Sequence, residues 1–347
     1  MDALKIRWVM VAVFAALLVR IPAITSLPID WDEPIYMEAA TEAAEAIHAS
    51  DWKQVVQPTV NREHPALVKI VYGVALAAAG PDPSLVERLA VLRSVSLVGG
   101  LLLIGIVAWA HPVAGIVLAT HTIHAKYSVQ VYLESLPLVW MSVAMLVGWR
   151  HRERMETGAG LLVAACWAAA CAGKWLHGVP GLVLLVAIPA WSARVRFVLL
   201  TALCFWVLDP SLWSGPLDRI AEMTNLHASY AASDAPPSSW WTPWLHLGGG
   251  GPSQWHPTAF PYSIDGLWLA LAALGLGMKS ATPWVRFVAA WWAVPMAFMM
   301  VWGTRWPQHT MAVVVPVCLL AAVGMRELFS LASRHFGPTE RHPPASS

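Results

Sequence analysis

A run of apolar residues from Trp8 to about Leu27 constrains this chain more than any other feature. About 20 such residues in a helix reach across the roughly 30 Å hydrocarbon core of a bilayer. Nine further runs follow, at 89–110, 112–125, 135–149, 159–173, 177–191, 197–209, 264–278, 285–302 and 309–325. Peptide groups inside hydrocarbon must find their hydrogen-bond partners within the protein, so helices and closed barrels are the structures that span. These runs are continuous rather than alternating, which points to helices and against a β-barrel. Only 12% of the residues are charged, where soluble domains carry about 25%. The expected fold is an all-α integral membrane protein with about ten transmembrane helices.

The first span shows no clear small-residue cleavage site between Leu17 and Ile24, so it reads as a retained signal anchor. A net charge of +1 argues against nucleic acid as a partner. The four cysteines, Cys166, Cys171, Cys204 and Cys318, all fall in apolar segments and read as core thiols, with neither disulfide nor zinc spacing.

Charge sets the threading. If the short apolar stretch 65–80 spanned the bilayer, Arg150, Arg152 and Arg154 would lie outside. If it rests along the interface they lie inside, as positive charges prefer. The second choice puts the N-terminus, 150–157, 192–196, 279–286 and the tail 326–347 on the cytoplasmic side. Those segments hold 12 of the 22 Lys and Arg, and 21 − 5 = 16 of the acids fall on the other side or at its boundary. The expected protein is multi-pass in the cell (inner) membrane, with both termini cytoplasmic. Two large external segments result. The loop 28–88 carries an acidic, Ala-rich helix over Ile35 to Ser50 and the interfacial 65–80 stretch. The loop 210–263 is rich in Pro, Gly and Trp, and reads as a membrane-hugging lid. The C-terminal helices occupy 264–325.

Ionisable groups from separate parts of the chain gather at the external boundary: Asp32, Glu33, His64, Lys69, Lys126, Glu134, Lys174, His177, Asp209, Arg305 and His309. Such groups at membrane depth point to function. Cations suit an anionic phosphate and a carboxylate suits deprotonation of an acceptor hydroxyl or amine. Plainer readings stand beside these. Asp32-Glu33 suits the N-terminus of the following helix, and so does Glu134 for its own. Lys174 suits a snorkelling anchor, Arg305 and His309 suit interface residues, and Trp240, Trp241 and Trp244 suit headgroup anchors.

In chain order, Asp32-Glu33-Pro34-Ile35-Tyr36, Glu63-His64-Pro65-Ala66-Leu67-Val68-Lys69, Tyr132-Leu133-Glu134-Ser135-Leu136-Pro137 and Ala172-Gly173-Lys174 resemble motifs of the GT-C superfamily of polyprenyl-phosphate-dependent glycosyltransferases. The likeness is to the protein O-mannosyltransferase and lipid A aminoarabinose transferase branch. Ala66 replaces a second proline and Trp175 stands where Gly is common. The resemblance covers roughly 8–215, with a weaker echo over Arg305 to Pro316. It makes 1–215 the conserved membrane module and leaves acceptor recognition to 210–263 or to a partner.

The resemblance implies a membrane glycosyltransferase that moves a sugar from a polyprenyl-phosphate carrier to a protein, lipid or glycan acceptor, with inversion. The implied catalytic pair is Asp32 and Glu33. Lys174, Arg305, His64 and His309 would face the donor phosphate and Glu134 the acceptor. No cofactor is implied. A divalent cation between Asp32 and Glu134 fits their oxygen ligands, although the resembled branch does not imply one. The competing classes are a transporter or lipid flippase, which would place its site near the midplane on broken helices, and a non-catalytic subunit that keeps the fold.

Overall fold

The computed structural model describes residues 3–155, 158–233, 239–249, 263–277, 282–302 and 304–336. Among them there is no β-strand. The helices are α1 (Ala3–Ser26), α2 (Glu33–His48), α3 (Trp52–Val56), α4 (Leu67–Ala78), α5 (Leu85–Ala110), α6 (Pro112–Thr120), α7 (Thr122–Tyr127), α8 (Ser135–His151) and α9 (Gly158–Gly173). They continue as α10 (Trp175–Gly178), α11 (Leu182–Ala187), α12 (Trp191–Leu208), α13 (Pro216–Ser233), α14 (Thr242–Leu247), α15 (Asp265–Gly277), α16 (Pro283–Val301) and α17 (Met311–Phe336).

Among the described residues, five helical stretches are long and apolar enough to cross a bilayer: α1, α5, α12, α16 and the continuous stretch Pro307–Ser333 that includes most of α17. The ten-span expectation differs from this in an instructive way. The run 112–125 is broken at His121 into α6 and α7, and the nine residues of α6 rise only about 13.5 Å, less than half the hydrocarbon core. The run 177–191 is interrupted by the 3-10 turn Val179–Gly181 at Pro180. Hydropathy counts apolar length and does not register where the backbone turns. Burial separates the long helices by position. In the apolar window of α12 only 17% is buried inside the protein, against 72% for the Pro307–Ser333 stretch, so α12 lies at the periphery of the bundle and α17 in its core.

The loop 28–88, expected on the external side, carries helices α2 and α4 at the two places its composition suggests. Pro34 near the N-terminus and an alanine-rich sequence start and sustain α2. Ala40 and Ala43 lie close enough to α4 that any side chain at Gly73 would collide with Ala43. Small residues let two helices approach in this way. Helix α5 opens with a capping box in which Ser84 Oγ accepts from Glu87 N and the Glu87 carboxylate accepts from Ser84 N at 2.8 Å. The expected loop 210–263 is in good part helical, with α13 and α14 inside it. Its residues 234–238 and 250–262, with Trp255, and the tail from 337 lie outside the described residues.

Two arginines of the long apolar helices, Arg20 and Arg93, are almost fully buried and bonded within the protein. Arg20 of α1 donates to Ala119 O at 2.8 Å and Ser128 Oγ at 2.9 Å, and its Nη2 lies 2.7 Å from His124 Nδ1. Arg93 of α5 uses all five of its N–H groups. Nε and Nη2 grip the Glu33 carboxylate at 3.0 and 2.7 Å, and the rest reach the carbonyls of Ile24, Leu27 and Pro28 at 2.7, 3.0 and 3.1 Å. The orphan carbonyls at the end of α1 are thus satisfied by a side chain from α5. Glu33 also accepts from Asp30 N at 2.9 Å and Val131 N at 2.7 Å. Glu33 and Arg93 are 0% and 1% exposed.

Removing one partner of such a buried pair leaves an uncompensated charge, at a cost of about 3–5 kcal/mol. Arg93→Met and Glu33→Gln are each expected to lower the thermal unfolding midpoint in detergent and the monodisperse fraction on size exclusion. Wild-type melting in both variants would refute this role for the pair.

Candidate active site

The site is built from chain ends and turns that meet at one face of the bundle. The turn after α1 carries Asp30, Trp31 and Asp32. The break between α9 and α10 carries Lys174, the end of α16 carries Trp302, and the 3-10 turn Pro307–Thr310 carries Gln308 and His309. With Asn61 to His64 from the loop before α4, and Ile220, Thr224, His227 and Tyr230 from α13, they line a cavity of about 1040 Å³. Its polar wall holds Asp30, Asp32, Glu63, Lys126 and Lys174, and its apolar wall Leu176, Val179, Ile220 and Phe298.

Asp32 occupies the N-cap position of α2 but makes no side-chain cap. Its carboxylate instead accepts a hydrogen bond from Gln308 Nε2 at 2.9 Å. The capping and catalytic readings of this residue are therefore separated: the backbone is at the cap and the acid faces the cavity. Burial pushes the Asp32 carboxyl above its usual range. The Lys174 ammonium and the Gln308 bond pull it back, while Asp30 and Glu63 push further up.

Lys174 owes its position to an extended residue (φ −160°, ψ 124°) that breaks the helix between α9 and α10. Its ammonium donates to Glu134 Oε1, and both side chains are almost fully buried. The Lys174–Glu134 bond answers the dipole reading of Glu134, which stands at the N-cap of α8 without capping it. Beside them Lys126 pairs with Asp30 at 2.6 Å and lies over the Tyr127 ring, 4.5 Å from its centroid.

His64 sits in a turn whose Asn61 adopts a left-handed backbone (φ 56°), a conformation asparagine tolerates. The buried Lys69 ammonium binds the turn from within, donating to Asn61 O at 2.7 Å and His64 O at 3.0 Å. Asp209 holds the next residues by accepting from Ala66 N at 3.1 Å. Burial, and then the Lys174 charge, push the His64 imidazole well below its usual range, so it meets a ligand as a neutral group. Its Nδ1 is buried without a protein partner. His227 of α13 lies between the rings of His64 and Trp302, at 5.2 and 6.0 Å.

Of the residues singled out from sequence, Asp32, His64, Lys126, Lys174 and His309 line the cavity, and Glu134 stands directly behind Lys174. Glu33 does not reach it; its oxygens are committed to Arg93 and two backbone amides. Arg305 turns to the end of α16, donating to Met299 O at 3.2 Å and Met300 O at 2.8 Å. Lys69 and Asp209 fasten the loop that carries His64, and His177 is buried away from the lining. Sequence reasoning passed over Asp30, Glu63, Tyr36, Tyr132, His227 and Gln308 as site residues. Tyr36, Glu63 and Tyr132 stood inside the quoted motifs, Asp30 beside one and Gln308 within the weaker echo over Arg305 to Pro316, whereas His227 carried no local signal. A cation between Asp32 and Glu134 does not suit this donor set. The Lys174 ammonium already occupies Glu134, and among the described residues no group of three or more His, Cys, Asp or Glu gathers as ligands.

No family model matches the sequence, and no curated protein matches it. Two solved structures are similar. One is ArnT from Cupriavidus metallidurans in the apo state, with a TM-score of 0.64 and 20% identity over 96% of this chain. The other is the same protein bound to undecaprenyl phosphate, with a TM-score of 0.60 and 18% identity over 95%. The chain spans about 62% of the length of those ArnT chains. The likeness establishes that the chain shares its fold with ArnT.

The Lys174–Glu134 pair predicts non-additivity. Lys174→Met and Glu134→Gln are each expected to destabilise the protein, and the double variant by less than the sum, with a coupling of about 1–3 kcal/mol. Melting midpoints in one detergent check this, and strict additivity would refute the pairing.

Proposed function

We propose that this chain is a membrane glycosyltransferase that uses a polyprenyl-phosphate-linked sugar as donor. The observation that carries the reading is one cavity in which a half-buried carboxylate, Asp32, and a buried ammonium, Lys174, share a lining with apolar side chains. A carboxylate alone fits many tasks. An acid, a cation and an apolar groove together fit a substrate with a hydroxyl to deprotonate, a phosphate to release and a lipid tail to accommodate. The fold shared with an ArnT that binds undecaprenyl phosphate supports the same donor class.

In this reading the acceptor enters near Asp30, Trp31 and Asp32, and the lipid carrier lies along Leu176, Val179 and Phe298. Asp32 takes the proton from the acceptor as its heteroatom bonds to the anomeric carbon. The bond from that carbon to the phosphate oxygen breaks, and its electron pair leaves with the polyprenyl phosphate. Lys174 steadies the departing charge. Glu134 holds the Lys174 ammonium in place, and His64 and His309 offer neutral imidazole contacts. Attack opposite the leaving group inverts the anomeric centre. The charge pattern supports placing the site on the external face with both termini cytoplasmic. The acceptor is a protein, lipid or glycan. A carboxylate and a cation converging at one end of the helices, rather than at their middle, favour the transferase over a transporter.

The test is incubation of purified protein with a panel of undecaprenyl-phosphate sugars, following release of undecaprenyl phosphate by mass spectrometry. Asp32→Asn is expected to abolish release, by at least about 100-fold, with folding intact. Lys174→Ala is expected to weaken donor use more than acceptor use. Because a base must be deprotonated and Asp32 binds its proton more tightly than an ordinary aspartate, the rate is expected to fall as pH drops through a value above the normal carboxylate range. Full activity of Asp32→Asn on every donor tested would defeat the assignment.

A further inference from the structure

The catalytic acid has a partner that no motif announced. Gln308 lies 276 residues further along the chain, and its amide nitrogen donates to Asp32 Oδ2 at 2.9 Å. Both side chains line the cavity, and Gln308 is 5% exposed. The bond matters more because Asp32 receives no capping hydrogen bond from α2, the partner its backbone position offers.

The segment that delivers Gln308 is built to hold it. Arg305 fastens the turn to the last carbonyls of α16. Trp302 Nε1 donates to Thr304 Oγ1 at 2.9 Å, and His309 Nδ1 lies 3.1 Å from Thr304 O. Thr310 Oγ1 donates to Pro307 O at 2.6 Å, closing the 3-10 turn from its far side. Trp302 and residues 304–310 thus form a short brace between α16 and α17, with the Gln308 amide pointed at the acid.

We infer that Gln308 is a positioning residue for the transfer reaction, orienting the Asp32 carboxylate so that one oxygen is held by the amide and the other meets the acceptor proton. An amide donor leaves the carboxylate charged and fixes its plane, which a freely turning acid lacks. The inference rests on the transferase reading above and adds the residue that tunes its base.

The groups facing Asp32 are known element by element. Asp30 precedes it in the same turn, Tyr36 follows on α2, Glu63 comes from the loop before α4, and Lys174 from the α9–α10 break. Lys126 and Tyr127 of α7, and Tyr132 and Glu134 of the next segment, complete the surroundings. All of these remain when Gln308 is changed, so the loss of its donor can be read in isolation. A hydrogen bond to the charged form favours that form, so removing it makes Asp32 bind its proton more tightly.

The experiment uses Gln308→Met, which keeps the length of the side chain without its amide, and Gln308→Ala. Release of undecaprenyl phosphate is measured across pH with the donor from the panel that the wild type turns over. The acid limb of kcat is expected to move up by about one pH unit in both variants, a roughly tenfold slower rate on that limb, with the donor KM within about twofold. A limb that stays in place overturns the inference, whether the rate at neutral pH is kept or lost. Asp32→Asn separates the two levels. If it is fully active the transferase base itself is wrong; if it is inactive while the Gln308 variants show no shift, only the positioning role falls.

Discussion

The Glu33–Arg93 pair is the contact on which the rest of the site depends. Its reach explains why. One guanidinium closes the end of α1, holds the first residue of α2 and belongs to the middle of α5, while the carboxylate it grips also fixes Val131 and Asp30. The turn bearing Asp32 therefore has its two flanks tied to three separate parts of the chain. A buried ion pair contributes little net stability when compared with an apolar substitute. Its value here is geometric: five donors and a two-oxygen acceptor admit one arrangement, and that arrangement aims the neighbouring acid.

The second organising principle is the use of broken helices. Lys174 reaches its place because the backbone extends between α9 and α10, and Lys126 because the apolar run 112–125 breaks at His121. The break is secured from a distant element, where the Asp265 carboxylate accepts from Thr122 N at 2.9 Å and so caps α7 from outside its own sequence. Irregular backbone at membrane depth persists where protein side chains satisfy it. The polar cluster of Arg20, His124 and Ser128 serves the same end, bonding the chain where α6 and α7 leave carbonyls such as Ala119 O unpaired.

The membrane class, the helical composition and the approximate positions of the apolar segments were legible because each depends on local composition. So were Asp32, His64, Glu134 and Lys174, which stand in short motifs at segment ends. Glu33 shows the limit of that legibility. Beside Asp32 in sequence it looked like half of a catalytic pair, but consecutive residues at a helix start point in different directions, and the structure spends Glu33 on Arg93. The residue that hydrogen-bonds Asp32 is Gln308, far along the chain in the weaker echo over Arg305 to Pro316, where Arg305 and His309 drew notice as charged or ionisable groups and an uncharged glutamine did not. Arg305 misled for a related reason: a cation at an interface serves equally to hold a helix end. Five of the ten apolar segments stand as single long helices among the described residues, and hydropathy ran through turns at His121 and Pro180 in others.

The brace at 302–310 also has a meaning in the order of synthesis. Asp32 emerges with the first helix, whereas Gln308 emerges only once α16 is complete and α17 is about to begin. Until then the acid has its neighbours from the first half of the chain but lacks the contact that orients it. In a nascent chain the Asp32 carboxylate is therefore present long before the amide that bonds it, which arrives with the 3-10 turn between α16 and α17.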